Sequence, residues 1–153
     1  MYNVALRIVG DVDDAQDVLQ EAFIRAFSKL DTFSGHSTFG AWLKRIVINQ
    51  ALTLIKQRRG ELPLEEMGEE AYDEAPDFPE DMDAEVERVK WAVMQLPDGF
   101  RAVFSLYLLE GYDHREIAEI LEISESTSKS QLNRAKKKVI EILQGDMRYE
   151  AQG

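Results

Sequence analysis

Residues 113–138 read DHREIAEILEISESTSKSQLNRAKKK, and this stretch decides the fold of the C-terminal half. Asp113 and Glu116 stand three apart, a D-x-x-E start similar to a capping box. Ile117, Ala118, Ile120 and Leu121 then give a short buried helix. Glu122 and Ile123 make a turn, and Ser124 caps a final helix that buries Leu132, Ala135, Val139, Ile142 and Leu143. A short helix, a tight turn and a longer helix form the pattern of a helix-turn-helix. Residues 124–138 carry Lys129, Arg134, Lys136, Lys137 and Lys138 against Glu125 alone. The first turns of the last helix are rich in short hydrogen-bonding side chains: Ser126, Thr127, Ser128, Ser130, Gln131 and Asn133. Such side chains reach base edges, while the cations behind them neutralise phosphates. A solvated polar helix with a basic C-terminal end is the plainer reading. The turn spacing favours the nucleic-acid reading.

Upstream, Val86, Val89, Ala92, Val93 and Leu96 mark a helix that ends at Pro97. Phe100 to Glu110 is strongly apolar and stops at Gly111. Four helices therefore precede or form the motif, a small all-α unit over residues 82–146.

Between this unit and the N-terminal one lies ELPLEEMGEEAYDEAPDFPEDMD, residues 61–83. Residues 61–90 hold 13 acidic and 2 basic side chains, so this segment carries the whole formal charge of −11. Pro63, Pro76 and Pro79 fall here, three of the chain's four prolines. Like charges repel and proline blocks regular ladders, so residues 61–81 read as an extended acidic linker. It is either a solvated tether or an acidic strip that occupies a basic groove on a partner, or masks the chain's own basic helices.

In residues 1–60, the positions Ala15, Val18, Leu19, Ala22, Phe23, Ala26, Phe27 and Leu30 step by three and four. They predict one apolar helical stripe, preceded by Asp13 and Asp14 and by a short segment from Tyr2 to Val9. The opposite face offers Asp17, Gln20, Glu21 and Arg25. After the loop DTFSGHS (31–37), Phe39, Trp42, Leu43, Ile46, Val47, Leu54 and Ile55 mark a long helix capped by Ser37 or Thr38. Lys56, Arg58 and Arg59 lie at its end, where the helix dipole alone suits cations. Dipole reasoning does not explain Lys44 and Arg45. Phe33, Phe39 and Trp42 sit close to Ser34, His36, Ser37 and Asn49. Aromatic faces beside polar groups and cations are what unstacked bases need. On periodicity alone, Phe39 and Trp42 read equally as core.

The chain has 153 residues, 44% hydrophobic and 31% charged, enough for buried cores. It has no cysteine and only two histidines, His36 and His114. Disulfide scaffolds, thiolate metal sites and thiol nucleophiles are excluded, and no cofactor or metal is expected. No glycine-rich phosphate loop and no convergent nucleophile–base cluster occurs, so an enzyme is not expected. No apolar run approaches the ~20 residues of a membrane helix and no signal-peptide pattern occurs. A reduced, cytoplasmic, soluble all-α protein is the expectation. A stand-alone helix-turn-helix regulator with an N-terminal sensing or dimerisation unit is one reading. The acidic face and aromatic–basic loop of the first unit favour a different one.

Residues 14–59, DAQDVLQEAFIRAFSKLDTFSGHSTFGAWLKRIVINQALTLIKQRR, resemble conserved region two of the extracytoplasmic-function sigma factors of bacterial RNA polymerase. Residues 96–143, LPDGFRAVFSLYLLEGYDHREIAEILEISESTSKSQLNRAKKKVIEIL, are similar to region four of the same family. The resemblance implies that Asp14, Asp17, Gln20 and Glu21 dock on core RNA polymerase. It implies that Phe33, Ser34, His36, Ser37, Phe39, Trp42 and Asn49 open the −10 promoter element and hold a flipped base. Lys44, Arg45, Lys56, Arg58 and Arg59 would hold phosphates nearby. Thr127, Lys129, Ser130, Asn133, Arg134 and Lys136 would read the −35 element. Promoter DNA and an inhibitory anti-sigma factor are the further partners it implies. Relative to the family the chain begins within the first helix. Glu122 and Ser126 replace common glycines. Ser128 replaces an apolar residue that packs, which predicts a weaker seat for the recognition helix. Gln131 replaces a frequent arginine, which predicts one phosphate contact fewer.

Overall fold

The computed structural model describes the backbone of residues 1–59 and 86–152, and the side chains of 1–58 and 86–145. The acidic linker expected over 61–81, and the side chain of Arg59, lie outside the described residues. The chain divides into two compact units, Met1–Leu62 and Pro63–Gly153. All regular structure among the described residues is helical.

In the first unit, α1 spans Tyr2–Val9, α2 spans Val12–Ser28 and α3 spans Phe39–Arg59. Each packs on the other two. Gly10 closes α1 in the left-handed region, its N–H donating to the Leu6 carbonyl. The N-cap of α2 is Asp11, whose carboxylate accepts from the Asp14 N–H at 3.0 Å. Asp13 and Asp14 thus lie inside the first turn rather than before it. The cap of α3 is Thr38, whose Oγ1 accepts from the Ala41 N–H at 3.1 Å.

The side of α2 that faces the core is narrower than the sequence stripe. Ala15, Val18, Ala22 and Ala26 are buried, whereas Phe23, Phe27 and Leu30 are exposed, Phe27 by 77%. Three alanines let α2 approach its neighbours closely. The bulk of the core comes instead from Ile8 and Val9 of α1 and Val47, Ile48 and Ile55 of α3. Each such side chain contributes about 1.5–3 kcal/mol on burial.

In the second unit, α4 (Val86–Met94), α5 (Asp98–Phe104) and α6 (His114–Leu121) all pack on α7 (Glu125–Gln152). The core holds Val89, Ala92, Val93, Leu96, Val103, Phe104, Leu106, Ile117, Leu132, Ala135 and Val139. Ile142 and Leu143 are only half-buried. The apolar run after Phe100 does not continue as an α-helix. From Ser105 to Leu109 it opens into a π-helical turn, the Glu110 N–H donating to the Ser105 carbonyl at 2.9 Å. Leu108 and Leu109 are exposed as a result.

Asp113 and Glu116 form a full capping box at the start of α6. The Glu116 N–H donates to Asp113 at 2.8 Å and the Asp113 N–H donates to Glu116 at 3.2 Å. α6 ends on Glu122 with φ 57° and ψ 47°, the one non-glycine with positive φ among the described residues. The backbone shape required of glycine here is kept, and Glu122 bears the strain of its Cβ. Glu122→Gly is expected to stabilise the second unit by about 0.5–1 kcal/mol, the left-handed penalty outweighing the added freedom of glycine when unfolded. A urea midpoint that does not rise, at unchanged slope, would contradict this.

Candidate nucleic-acid interface

In the first unit, the loop before α3 is shaped by Gly35, which sits at φ 79° where a side chain is strained. The Ser34 hydroxyl accepts from the His36 N–H at 3.5 Å. The turn brings Phe33 back onto the start of α3. Phe33 lies 5.8 Å from Phe39, edge to face, and 5.3 Å from Trp42, while Phe39 and Trp42 are 5.7 Å apart. Phe39 is 49% exposed, and Phe33 and Trp42 are half-buried. The core reading of Phe39 is therefore overturned. The helix buries Leu43 and Val47 instead, one turn further on, and leaves the first aromatic outside. Three mutually contacting rings form a partly exposed platform, with Ser34, His36 and Ser37 exposed around it. Asn49 is exposed further along α3, and Lys44 and Arg45 are half-buried between. Lys56 and Arg58 are exposed at the far end.

On α2, Asp17, Gln20 and Glu21 are exposed on one face. Asp14, expected among them, is 8% exposed and bonded to Arg58. Its position one turn inside α2 points it at the end of α3. Arg58 also reaches Asp17, at 3.6 Å. Sequence reasoning grouped Asp14 with the docking face and Arg58 with the phosphate ligands. The structure joins the two across the helix pair. It also adds exposed apolar residues to the α2 surface: Val12, Phe23, Ile24 and Phe27. The helical period alone gave no signal for this, because the alanines and the larger residues are both apolar.

In the second unit, Ser124 caps α7, its Oγ accepting from the Thr127 N–H at 3.0 Å and donating to Thr127 Oγ1 at 2.8 Å. Helical spacing puts Ser126, Lys129, Ser130, Asn133 and Lys137 on one face, with Arg134 and Lys136 flanking. Ser126, Lys129 and Lys137 are exposed, and Thr127, Ser130, Asn133, Arg134 and Lys136 are half-buried. Ser130 donates to the Ser126 carbonyl at 2.9 Å, so its oxygen is left to accept.

Two readings of this helix are corrected. Ser128, read above among the side chains that reach base edges, is fully buried. Its hydroxyl is 2.8 Å from Nδ1 of His114, a polar bond in place of an apolar contact. Gln131, read with it, is also fully buried and faces the unit's interior, not a base edge. The His114 ring stacks on Tyr107 with centroids 4.5 Å apart. Burial, then the repulsion of Lys129, holds the His114 pKa below its usual value, with Asp113 opposing and Lys136 adding to the fall.

Residues 1–61 match the family description Sigma-70 region 2, and residues 87–139 match Sigma-70, region 4. The chain belongs to the extracytoplasmic-function group of the sigma-70 family. This sigma factor is 31% identical over 147 residues to the ECF RNA polymerase sigma factor SigW of Bacillus subtilis, covering 89% of this chain and 79% of that one. It is 31% identical over 140 residues to the ECF RNA polymerase sigma-E factor of Escherichia coli K12, covering 82% and 72%. Its fold is similar to the sigma factor RpoE solved with the anti-sigma factor NepR from Bartonella quintana, at TM-score 0.63 and 24% identity, over 94% and 89% of the chains. It is also similar to CnrH, solved in complex with the cytosolic domain of CnrY, at TM-score 0.56 and 27% identity, over 95% and 81%. Sigma factors are initiation factors, not enzymes. The stand-alone regulator reading is thereby disfavoured. Among the described residues of this sigma factor, no helix is long and apolar enough to cross a membrane.

The Asp14–Arg58 pair yields a stability prediction. Arg58→Ala leaves a buried carboxylate and is expected to cost about 1–3 kcal/mol. Asp17→Ala, at an exposed and longer contact, is expected to cost under about 1 kcal/mol. Chemical denaturation of the two variants checks the order, and equal losses would contradict it.

His114 yields a pH prediction. Its folded pKa is depressed, so the unfolded chain binds more protons just below the ordinary histidine value of 6.5. Stability of the second unit is full above that value and falls as pH drops through it. His114→Gln is expected to flatten that part of the pH–stability curve, read from thermal melts.

Proposed function

We propose that this sigma factor docks on core RNA polymerase through α2, opens the −10 element with the aromatic platform and reads the −35 element with α7. The observation that carries the reading is the pairing, in one chain, of exposed stacking rings with a basic, hydroxyl-lined helix-turn-helix. The two features suit different substrates. Stacked aromatic faces hold bases that have left the duplex. A helix with base-reaching side chains and flanking cations suits an intact major groove.

Docking falls to Asp17, Gln20 and Glu21, extended by the exposed Ile24 and Phe27 beside them. Asp14 acts inward, fixing α3 to α2 through Arg58. Phe33, Phe39 and Trp42 would take a flipped base, with Ser34, His36, Ser37 and Asn49 supplying polar contacts. Lys44, Arg45, Lys56 and Arg59 would meet backbone phosphates, and Arg58 would do so only in part, since Asp14 holds it. On α7, Asn133 and Arg134 would contact base edges, while Lys129 and Lys136 meet phosphates. Ser130 would accept from a base amino group, because its proton is already donated to the helix. Residues 1–60 and 82–146 would be the two working units and 61–81 the tether between them.

The charge argues for a large partner. Duplex affinity rests on phosphate neutralisation, and a formal charge of −11 opposes it. Extruding a base costs a few kcal/mol more. A core enzyme that supplies a positive channel resolves both. An anti-sigma partner is a further expectation, and the uncovered apolar face of α2 is the surface we assign to it.

Core polymerase plus this chain is expected to initiate transcription at a defined set of promoters, identified by sequencing the transcripts. Tight duplex binding by the isolated chain, with no binding to core, would overturn the proposal. Arg134→Ala is expected to weaken holoenzyme binding by about 1–3 kcal/mol on promoters with an intact −35 element. Footprinting reads the loss, and an unchanged footprint would remove Arg134 from the reading surface.

A further inference from the structure

The recognition helix rests on a polar contact where an apolar one would suffice. Ser128 lies on the buried side of α7, its hydroxyl 2.8 Å from Nδ1 of His114, the first residue of α6. The π-helical turn supplies the other wall, Tyr107 stacking on the ring at an interplanar angle of 22°. His114 therefore touches three elements: α6, the turn after α5 and α7. The charged groups around it are Asp113 at the cap of α6, and Glu125, Lys129 and Lys136 of α7. Two of these, Lys129 and Lys136, are the side chains assigned to DNA phosphates. We propose that His114 and Ser128 form a proton-linked seat for α7, His114 gaining a proton as Lys129 and Lys136 engage phosphate. The inference rests on the −35 reading given above.

The chemistry is consistent in both protonation states. A serine hydroxyl donates to an unprotonated imidazole nitrogen and accepts from a protonated one. With the neutral proton on Nε2, protonation at Nδ1 reverses the bond; with it on Nδ1, the bond is unchanged; in both cases α7 keeps its seat while the local charge changes. In the free protein burial, and then Lys129, lower the pKa of the ring. Phosphates that pair with the lysines cancel their repulsion and add attraction of their own, both of which favour the imidazolium. The linkage sign follows. A group that binds its proton more tightly in the complex makes complex formation stronger as pH falls between its two titration points. His114 is a positioning residue in this scheme: it acts through α7, not on a base.

The test uses holoenzyme reconstituted with the full chain and a promoter duplex recovered from its own transcripts. Both arms carry His36→Gln, so that the other histidine contributes nothing. Affinity is measured from about pH 8 to about pH 5.5, with and without His114→Gln, which keeps a hydrogen-bonding group but does not titrate. The expected result is that the ratio of affinities, parent over His114→Gln, grows about threefold or more as pH falls, a linkage of half a pKa unit. Parallel pH curves overturn the inference. A duplex with a scrambled −35 segment separates the layers: equal binding to it at every pH overturns the −35 reading itself. Ser128→Ala provides the second variant. It is expected to lose discrimination between intact and scrambled −35 segments while promoter opening, read by 2-aminopurine fluorescence at −10, persists. Retained discrimination overturns the seat.

Discussion

The first unit depends on how closely α2 can approach α1 and α3. Alanine at 15, 22 and 26 is buried along one line of α2, and only Val18 adds bulk there. Close approach leaves no room for Phe23, Phe27 or Leu30 beneath the helix, so they stand outside. The same constraint sets the far end of α3, where Arg58 is near enough to bond Asp14. One packing decision thus yields an apolar and acidic outer surface on α2 and a fixed end for α3. Folding and the docking proposed for this sigma factor fall on two faces of one helix.

Polar groups do the comparable work in the second unit. The capping box at Asp113 and Glu116 begins α6, and Ser124 begins α7. His114 and Ser128 lock the two together from inside. Two elements follow each other within four residues, and the turn between them is held by Glu122 in a shape that glycine adopts without strain. Such a corner leaves no slack in how the recognition helix is aimed.

Much of this was legible in the sequence. The helix-turn-helix was readable because caps, turn and stripe agree over residues 113–138, each supporting the others. The aromatic platform was legible in composition but not in exposure, since a ring at the start of a helix stripe satisfies the core pattern as well as a surface one. The direction of α2 was half legible. The alanine line and the phenylalanine line lie side by side on its circumference, and a 3.6-residue period cannot decide which set faces inward when both are apolar. Ser128, Gln131 and Asp14 were misread for one shared reason. Polar residues are assigned to solvent by default, whereas these three are buried, Asp14 and Ser128 on partners distant in the chain.

The π-helical turn at Ser105–Leu109 has a different kind of importance. In it, the ring of Tyr107 lies flat on His114 because the backbone holds one residue more than an α-helical turn would. Each residue of a helix advances its side chains by about 100°. Losing any single residue from this stretch would therefore swing the tyrosine to another side and take its ring off the imidazole. The stack thus depends on the number of residues in SLYLL as well as on the tyrosine among them.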